Sequence, residues 1–171
     1  MRAKNRYAVL SVHDNMTGLY NRRGMYEKYA DMLKKALPDE RLFVCVIDMD
    51  GLKYINDTFG HGEGDCGIMT VSRAAKMLTR DNEICVRAGG DEFFIIGIGA
   101  YPDSECAERR ERFVGTLSEL SADLGKPCRI SASIGCSAGK AGCFELEEAI
   151  SRADEEMYRF KMKRKRGIGD L

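Results

Sequence analysis

Apolar residues are spaced in two distinct ways along this chain, and the two spacings predict its helices and strands. Apolar side chains that recur every three or four residues predict helices over 22–37, where Pro38 ends the pattern, and over 64–79, 103–124 and 145–163. Continuous or alternating apolar runs predict strands over 42–50, 83–88, 92–99 and 128–137. Residues 51–60 are predicted to form a short helix or turn.

The order of these elements indicates the fold class. A helix and a strand are followed by helices, a β-hairpin with Gly89 and Gly90 at its turn, a helix, a strand and a final helix, and no repeat or linker interrupts them. A chain of 171 residues has room for one well-developed core. We therefore predict a single α+β domain over 14–171, with a mainly antiparallel central sheet flanked by helices. Residues 1–13 are interpreted as a tail or the end of an upstream connecting helix.

Charge and cysteine content exclude some classes of protein. Lys and Arg together number 27, as do Asp and Glu, so the net charge of zero gives no long-range attraction to nucleic acid or to a membrane surface. Seven cysteines without a C-x-x-C pair favour reduced thiols in a cytoplasmic protein. No apolar run approaches the roughly 20 residues that span a bilayer, so we expect no direct membrane insertion of this segment.

Two carboxylates stand where predicted strands end. Asp48 lies at the end of the first strand, and Asp91 follows the two glycines of the hairpin, directly before Glu92. Neighbouring strands of an antiparallel sheet can bring Asp48 and Asp91 together, where their charges repel. The residues alone leave two solutions open. Each acid is solvated or paired with Arg87 or a lysine, or both acids bind a hard cation such as Mg²⁺ or Mn²⁺.

Several sequence blocks around these acids resemble one family. They are DNMTGLYNRRG at 14–24, IDMDGLKYINDTFGHGEGD at 47–65, RAGGDEF at 87–93, ISASIGCS at 130–137 and EEAISRADEEMYRFK at 147–161. In this order and spacing they resemble the GGDEF family of diguanylate cyclases over about residues 14–166. Met16 and Leu52 stand where the family pattern has leucine and phenylalanine.

The resemblance implies a fold and a reaction. Members of the family fold like the palm of nucleotide polymerases and like nucleotidyl cyclases, with a ferredoxin-like core, and they join two GTP molecules into cyclic di-GMP with release of pyrophosphate. Each subunit binds one GTP, so that catalysis requires a homodimer whose subunits meet face to face. The resemblance also implies a cytoplasmic location and an upstream sensor domain in a longer parent protein.

The resemblance assigns the catalytic roles to the acids. Asp48 and Asp91 hold Mg²⁺ or Mn²⁺ together with the carbonyl of Met49, and Glu92 is the proton acceptor for the attacking 3′-hydroxyl. Phosphoryl transfer depends mainly on positioning and on metal charge, which suits this set of groups. The alternative for Glu92 is a strand residue paired with a lysine.

Guanine recognition is assigned to a second group of residues. Asn56 and Asp65 match the family positions that read the base, and His61 matches an associated nucleoside contact. A carboxylate accepts hydrogen bonds from guanine N1 and N2, which adenine does not offer, so Asp65 favours GTP over ATP. Helix capping is the alternative role for Asn56 and Asp65.

The turn formed by Gly51, Leu52 and Lys53 is assigned to phosphate binding. It enters the short predicted helix, whose free backbone N–H groups suit the β- and γ-phosphates of the nucleotide. Gly51 permits a close approach of these phosphates to the backbone.

The last helix contributes the other phosphate contacts that the resemblance implies. Lys161 continues the apolar stripe of this helix by one turn and matches the family's phosphate-binding lysine. Lys165 takes the place of the family's arginine, and Arg164 the place of a glycine. Since lysine lacks the guanidinium fork, phosphate binding at Lys165 is weaker or is taken over by Arg164 or Arg166. A solvated basic helix end is the alternative reading of this run.

Arg80 and Glu83 occupy the positions of an inhibitory R-x-x-D motif found in many members of the family. Glutamate keeps the charge of the usual aspartate but moves its carboxylate, so the pair is predicted to be at most a degenerate site for cyclic di-GMP. The alternative is a surface turn after a helix.

Three other functions stay open at this stage. Lys165 and Glu83 favour a catalytically weak or inactive module that binds GTP or cyclic di-GMP and regulates a partner. A different nucleotidyl transfer, with ATP alone or with ATP and GTP, would use the same fold. Nucleic acid binding has the least support, because the terminal basic run lacks interleaved aromatic residues, and no nucleic acid partner is expected.

Overall fold

The chain forms an antiparallel sheet with helices on both faces, in the element order that the sequence predicts. A computed structural model describes residues 11–125 and 129–168, with side chains up to residue 164. Within these ranges the helices are α1 (Arg22–Lys35), α2 (Leu52–Phe59), α3 (His61–Leu78), α4 (Glu105–Asp123) and α5 (Leu146–Ile168). The strands are β1 (Arg41–Met49), β2 (Glu83–Gly89), β3 (Glu92–Gly99) and β4 (Ala132–Lys140). The predicted α+β class is confirmed.

β1 lies in the interior of the sheet and determines where the acids meet. The strand order is β2-β3-β1-β4, and every neighbouring pair is antiparallel. Asp48, near the end of β1, pairs with Glu92 of β3 on one side and with Ser133 of β4 on the other. Residues 42–47 of β1 are 0% exposed, because the strand is paired at both edges and covered on both faces.

The period of two along β1 divides the core into two layers. Phe43, Cys45 and Ile47 belong to one layer, which α3 and α4 cover with residues such as Val71 and Phe113. The alternate residues of β1 belong to the second layer, which α1 and α5 cover; they are Leu42, Val44 and Val46. Successive side chains of a strand point to opposite faces, so one continuous apolar run supplies both layers.

α5 lies directly on β4 because a glycine leaves room for its backbone. A Cβ atom added at Gly135 would lie 2.0 Å from the backbone nitrogen of Met157 and 2.2 Å from the backbone oxygen of Ala153. A side chain at this position would push the helix away from the sheet. The close contact holds the helix over the strand ends and brings Lys161 to them.

The largest difference from the predicted elements concerns β4, which begins and ends later than the sequence pattern indicates. Its predicted first residues bond to other parts of the chain instead. The N–H of Ile130 donates to Ser121 Oγ (2.8 Å), and the carbonyl of Ser131 accepts from the N–H of Asp50 (2.9 Å). Pairing with β1 then continues to Lys140.

Some predictions fall on parts of the chain outside the described residues. The interpretation of residues 1–13 as a tail or the end of a connecting helix is among them as far as residue 10, and so is the strand residue Cys128. The other six cysteines are free, and the sulfur atoms of Cys45 and Cys136 lie 2.8 Å apart on β1 and β4. Of the helices in the described ranges, none is both long and apolar enough to cross a membrane.

Candidate functional site

The predicted acids lie at the adjoining ends of β1 and β3. The N–H of Met49 donates to the backbone carbonyl of Asp91 (3.0 Å), so the residue after Asp48 is bonded directly to the hairpin turn. The guanidinium of Arg87 donates to the carbonyl of Gly90 at 2.8 and 3.1 Å and thereby holds the turn. Two strands of a rigid sheet therefore bring together Asp48 and Asp91, which the sequence separates by a helical hairpin and a strand.

Asp48 carries an energetic cost in this position. Burial raises the pKa of its carboxyl group, and repulsion from Asp91 and Asp50 raises it further, while the hydrogen bond and the charge of Lys161 oppose the shift. The net direction is upward, so the protein does not fully compensate the ionised form of Asp48. A cation at this position would remove that cost.

Lys161 provides part of this compensation. Its Nζ atom lies 2.5 Å from Asp48 Oδ1 and 3.8 Å from Asp50 Oδ1. Burial lowers the pKa of Lys161, but the hydrogen bond that it donates to Asp48 and the charges of Asp48, Asp50 and Asp91 outweigh burial and raise it. The lysine pairing considered as an alternative for the two acids is therefore present at Asp48.

Arg87, the other cation considered for that pairing, has different partners. Its NH1 atom contacts Asp14 Oδ1 at 3.2 Å, and the remaining donors face Gly90. Burial opposes ionisation of Asp14, but hydrogen bonds from Thr17 and Arg87 outweigh burial and lower its pKa. Arg87 thus ties the segment before α1 to the hairpin and leaves the acid pair to Lys161.

Glu92 is half-buried at the start of β3. Burial raises the pKa of its carboxyl group, Arg22 lowers it from a distance of 3.4 Å, and Asp154, Asp48 and Asp91 raise it. The net direction is upward, toward the range in which a carboxylate accepts a proton more effectively. The cation beside Glu92 is an arginine of α1, not the lysine considered from the sequence.

The turn predicted to bind phosphate begins α2 in a left-handed conformation. Gly51 has φ 69° and ψ 24° at the N-cap of this helix, a conformation that favours glycine. Leu52 is partly buried, whereas Lys53 is exposed. The first N–H groups of α2 follow directly after Asp50, so they lie beside the strand end that carries Asp48.

The two predicted guanine readers lie on helices that contact each other. Gly60, with φ 90°, separates α2 from α3. A Cβ atom added at Gly64 would lie 1.9 Å from Oδ1 of Asn56, so the Asn56 side chain packs against the α3 backbone next to Asp65. Asp65 and His61 are exposed on the same helix. The structure therefore places the Asn56 side chain against the turn of α3 that carries Asp65.

Replacing Gly64 by alanine tests this contact. The added methyl group displaces the Asn56 side chain. In the base-reading role that the sequence resemblance implies for Asn56, loss of about one hydrogen bond is expected to weaken binding of a GTP analogue roughly two- to tenfold. Isothermal titration measures the effect. Gly62→Ala is the matched control, because a Cβ atom there meets nothing within 4 Å. Equal affinities for the two variants would contradict the placement of Asn56 in base recognition.

The structure corrects the interpretation of Arg80 and Glu83 as a ligand-facing pair. The side chain of Glu83 is 0% exposed, and its oxygens accept hydrogen bonds from Arg109 at 2.8 and 2.9 Å and from Tyr101 Oη at 3.0 Å. The guanidinium of Arg80 bonds to Glu105 at 2.9 Å. Because its carboxylate is buried and fully engaged, Glu83 does not face a bound nucleotide, nor does it lie in a surface turn.

Asp50 is the site residue that the sequence interpretation missed. Its carboxylate accepts hydrogen bonds from Ser131 Oγ (3.0 Å), Ser133 Oγ (2.9 Å) and Arg164 NH1 (3.0 Å). The available signal was the second acid of the DMD sequence, which follows Asp48 by two residues. The side chain of Lys165, the predicted phosphate contact, lies outside the described side chains.

The donor set at the strand ends fits a hard cation. Within the described part of the chain, no three Asp, Glu, His or Cys side chains gather as a complete metal site. Mg²⁺ usually binds one or two carboxylates and completes its coordination with waters and substrate phosphates. Asp48 and Asp91, with the nearby carbonyl of Met49, supply oxygen ligands of this kind, and the burial and neighbouring acids that raise the pKa of Asp48 favour a positive charge there.

The fold and this pair of acids define a class of protein: an α+β domain of the palm, or nucleotidyl-cyclase-like, fold with its candidate site at the ends of two antiparallel strands. The family model described as "Diguanylate cyclase, GGDEF domain" matches residues 11–167. The chain therefore belongs to the GGDEF domain family. The resemblance of the sequence blocks is confirmed.

Relatives with known names support this assignment. The chain is 32% identical over 161 residues to a bifunctional diguanylate cyclase/cyclic di-GMP phosphodiesterase, MucR, of Pseudomonas aeruginosa, covering 94% of this chain and 23% of that protein. It is 34% identical over 152 residues to a probable diguanylate cyclase, DgcJ, of Escherichia coli, covering 86% and 29%. The chain thus spans less than a third of the length of these relatives.

A solved structure shows the same architecture. The sensory box/GGDEF family protein of Caulobacter crescentus superimposes with a TM-score of 0.71 at 27% sequence identity, over 90% of this chain and 99% of the other. The likeness extends over nearly the whole of both chains, so the elements that carry Asp48 and Asp91 belong to the shared fold.

Proposed function

We propose that this domain condenses two GTP molecules into cyclic di-GMP as a diguanylate cyclase. The observation that carries the proposal is the convergence of Asp48, Asp91 and Glu92 at the joined ends of β1 and β3, with Lys161 beside them. The 3′-oxygen of one GTP attacks the α-phosphorus of the other, and pyrophosphate leaves as the new P–O bond forms. A second, equivalent step closes the ring.

The side chains of the site divide this chemistry between them. Asp48 and Asp91, with the Met49 carbonyl, would hold Mg²⁺ or Mn²⁺, which neutralises phosphate charge and acidifies a bound hydroxyl. Glu92 accepts the proton of the 3′-hydroxyl, and its raised pKa improves it as a base relative to an ordinary glutamate. Lys161 can release its hydrogen bond to Asp48 and bond to a phosphate oxygen instead, since its flexible side chain already lies at the strand ends.

Nucleotide recognition is proposed to use the α2–α3 contact and the start of α2. Asn56 and Asp65 receive the guanine edge, with His61 beside the nucleoside. The N–H groups after Gly51, together with Leu52 and Lys53, receive the β- and γ-phosphates. Each domain binds one GTP in this arrangement, and therefore a homodimer completes the reacting pair.

The parent protein and its location are part of the proposal. The curated relatives are much longer than this chain, which is consistent with an upstream sensor that brings two copies together in the cytoplasm. No nucleic acid partner is proposed.

Turnover of GTP at several protein concentrations tests the proposal. Purified protein with GTP and Mg²⁺ is expected to form cyclic di-GMP, and because two copies must meet, the rate per molecule should rise with protein concentration below the dimer dissociation constant. Chromatography of the products measures it. Absence of product from a demonstrably dimeric preparation would contradict the proposal. A rate per molecule that stays constant at every dilution would show that activity does not depend on transient pairing of two copies.

A second candidate is a non-catalytic module that binds GTP or cyclic di-GMP. It is favoured by the cationic partners of the acids, since Lys161 is bonded to Asp48 and Arg164 to Asp50. If these pairs persist when nucleotide binds, the domain binds without turnover. Binding of GTP without product formation by the dimer would support this candidate over the cyclase.

A further inference from the structure

Asp50 connects three parts of the candidate site. Its backbone N–H donates to the carbonyl of Ser131 (2.9 Å), and its carboxylate accepts hydrogen bonds from Ser131 Oγ and Ser133 Oγ, at the start of β4. On α5, Arg164 donates to Asp50 Oδ2 at 3.0 Å, and Lys161 lies 3.8 Å from Oδ1. The end of β1, the start of β4 and the last turns of α5 therefore meet at one carboxylate.

The same contacts orient the cations of α5. Arg164 also donates to the backbone carbonyl of Ala132 (3.0 Å), so its guanidinium is held by two acceptors, one directly after β1 and one at the start of β4. Ser133 is 0% exposed, so the hydroxyl group that donates to Asp50 is buried and shielded from solvent. A long side chain restrained in this way has lost most of its rotational freedom before any ligand arrives.

We propose that Asp50 is a positioning residue that holds Lys161 and the Arg164 turn of α5 in place for the triphosphate of the nucleotide. Arg164 stands where the family pattern has glycine, so the Asp50–Arg164 contact is made by a residue that departs from that pattern. The inference rests on the proposed function, since it assumes that the triphosphate lies beside Lys161. Asp50 itself contacts the cations and not the nucleotide.

The inference predicts that removing the charge of Asp50 changes nucleotide affinity in the direction opposite to that expected from electrostatic repulsion alone. Asp50 is an anion next to a site for a highly charged anion, so removing its charge should strengthen nucleotide binding if the carboxylate acted only through its field. If Asp50 positions Lys161 and Arg164, the same change should weaken binding. The direction of the affinity change therefore separates the two roles.

The experiment titrates the dimeric protein with the α,β-methylene analogue of GTP, which cannot release pyrophosphate, and measures its dissociation constant by calorimetry. Asp50→Asn is expected to weaken binding by about 10-fold or more, the usual effect of losing a group that orients a ligand-binding side chain. A double variant, Ser131→Ala with Ser133→Ala, keeps the charge and removes two supporting hydrogen bonds, and it is expected to shift affinity in the same direction. Asp57→Asn, an exposed charge on α2, is the matched control and is expected to bind like the unmodified protein.

A further variant tests whether Arg164 carries the effect. Arg164→Gln alone should weaken binding, and combining it with Asp50→Asn should cost less than the product of the two single effects, because both changes break one contact. Thermal unfolding of each variant checks that the fold is intact, and the double serine variant serves if Asp50→Asn does not fold.

The results that would overturn the positioning role of Asp50 differ from those that would overturn the proposed cyclase activity. Unchanged or tighter binding by Asp50→Asn, or unchanged binding by the folded serine variant, would overturn the positioning role. Binding of the analogue by a protein that forms no cyclic di-GMP would refute the cyclase while leaving the role of Asp50 measurable. Failure of the unmodified dimer to bind the analogue would overturn both.

Discussion

Replacement of Asp91 by asparagine is expected to abolish formation of cyclic di-GMP from GTP, with a loss on the order of 1,000-fold or more. Asparagine has nearly the same shape but lacks the charge, and a metal ion at such a site supplies several kcal/mol of transition-state stabilisation, each 1.36 kcal/mol being a factor of ten in rate. The backbone bond from Met49 to residue 91 does not involve the side chain, so the hairpin stays in place.

The measurement is the rate of product formation at saturating GTP and Mg²⁺, with the oligomeric state checked in parallel. Asp81→Asn removes an equal charge from an exposed turn at the other end of β2 and should leave the rate unchanged. Retention of more than a tenth of the activity by Asp91→Asn would contradict the role of Asp91 as a metal ligand.

Replacement of Arg109 by methionine is expected to destabilise the domain by about 3 to 5 kcal/mol, the usual cost of removing one partner from a buried ion pair. Arg109 is 0% exposed and donates to Glu83 and Glu105 at 2.7 to 3.1 Å. Methionine fills much of the volume but removes the guanidinium between two buried carboxylates, so that Glu83 loses its ion pair while Glu105 keeps the one with Arg80. Urea unfolding measures the change.

The control for this variant is Arg112→Met, an exposed position on the same helix, which should change stability by no more than about 0.5 kcal/mol. A loss below 1 kcal/mol for Arg109→Met would show that Glu83 and Glu105 are protonated or rehydrated at little cost. Such a result would contradict the interpretation of Arg109, Glu83 and Glu105 as a buried cluster of charged groups.

The same cluster predicts how stability depends on pH. Burial opposes ionisation of Glu83, but hydrogen bonds from Arg109, the Arg80 N–H and Tyr101, with the charge of Arg109, outweigh burial and lower its pKa below the ordinary value of 4.5. A carboxyl group with a lower pKa in the folded state contributes stability that is complete above its unfolded-state value and is lost as pH falls through the folded-state value. This part of the acid dependence should disappear in Arg109→Met.

The fold could be predicted from sequence because the periodic signals are strong. β2 and β3 begin and end within one residue of the predicted bounds, and the hairpin between them, together with the uninterrupted apolar run of β1, led to the expectation that Asp48 and Asp91 meet. Antiparallel pairing follows from such local patterns, so acids distant in sequence could be placed together before the structure was known.

The side-chain contacts between helices and strands could not be predicted from the spacing of apolar and polar residues. The lysine bonded to Asp48 and the serines bonded to Asp50 come from α5 and β4, and no periodicity specifies which atoms meet there. Glu83 was interpreted as part of a degenerate R-x-x-D motif or of a surface turn, and its burial was not anticipated, since charged residues are seldom fully buried. A signal did exist for its partner, since Arg109 precedes Phe113 by four residues and therefore lies on the inward face of α4.

The burial of β1 has a consequence for how the domain can be controlled. The amides of a strand that is bonded at both edges and covered on both faces are expected to exchange with solvent mainly through global unfolding, so the geometry around Asp48 is expected to resist local distortion. In the proposed parent protein, a signal from another domain could bend such a site only at a cost comparable to the free energy of unfolding. In the proposed cyclase, regulation is therefore expected to change how often two intact copies encounter each other and in what orientation.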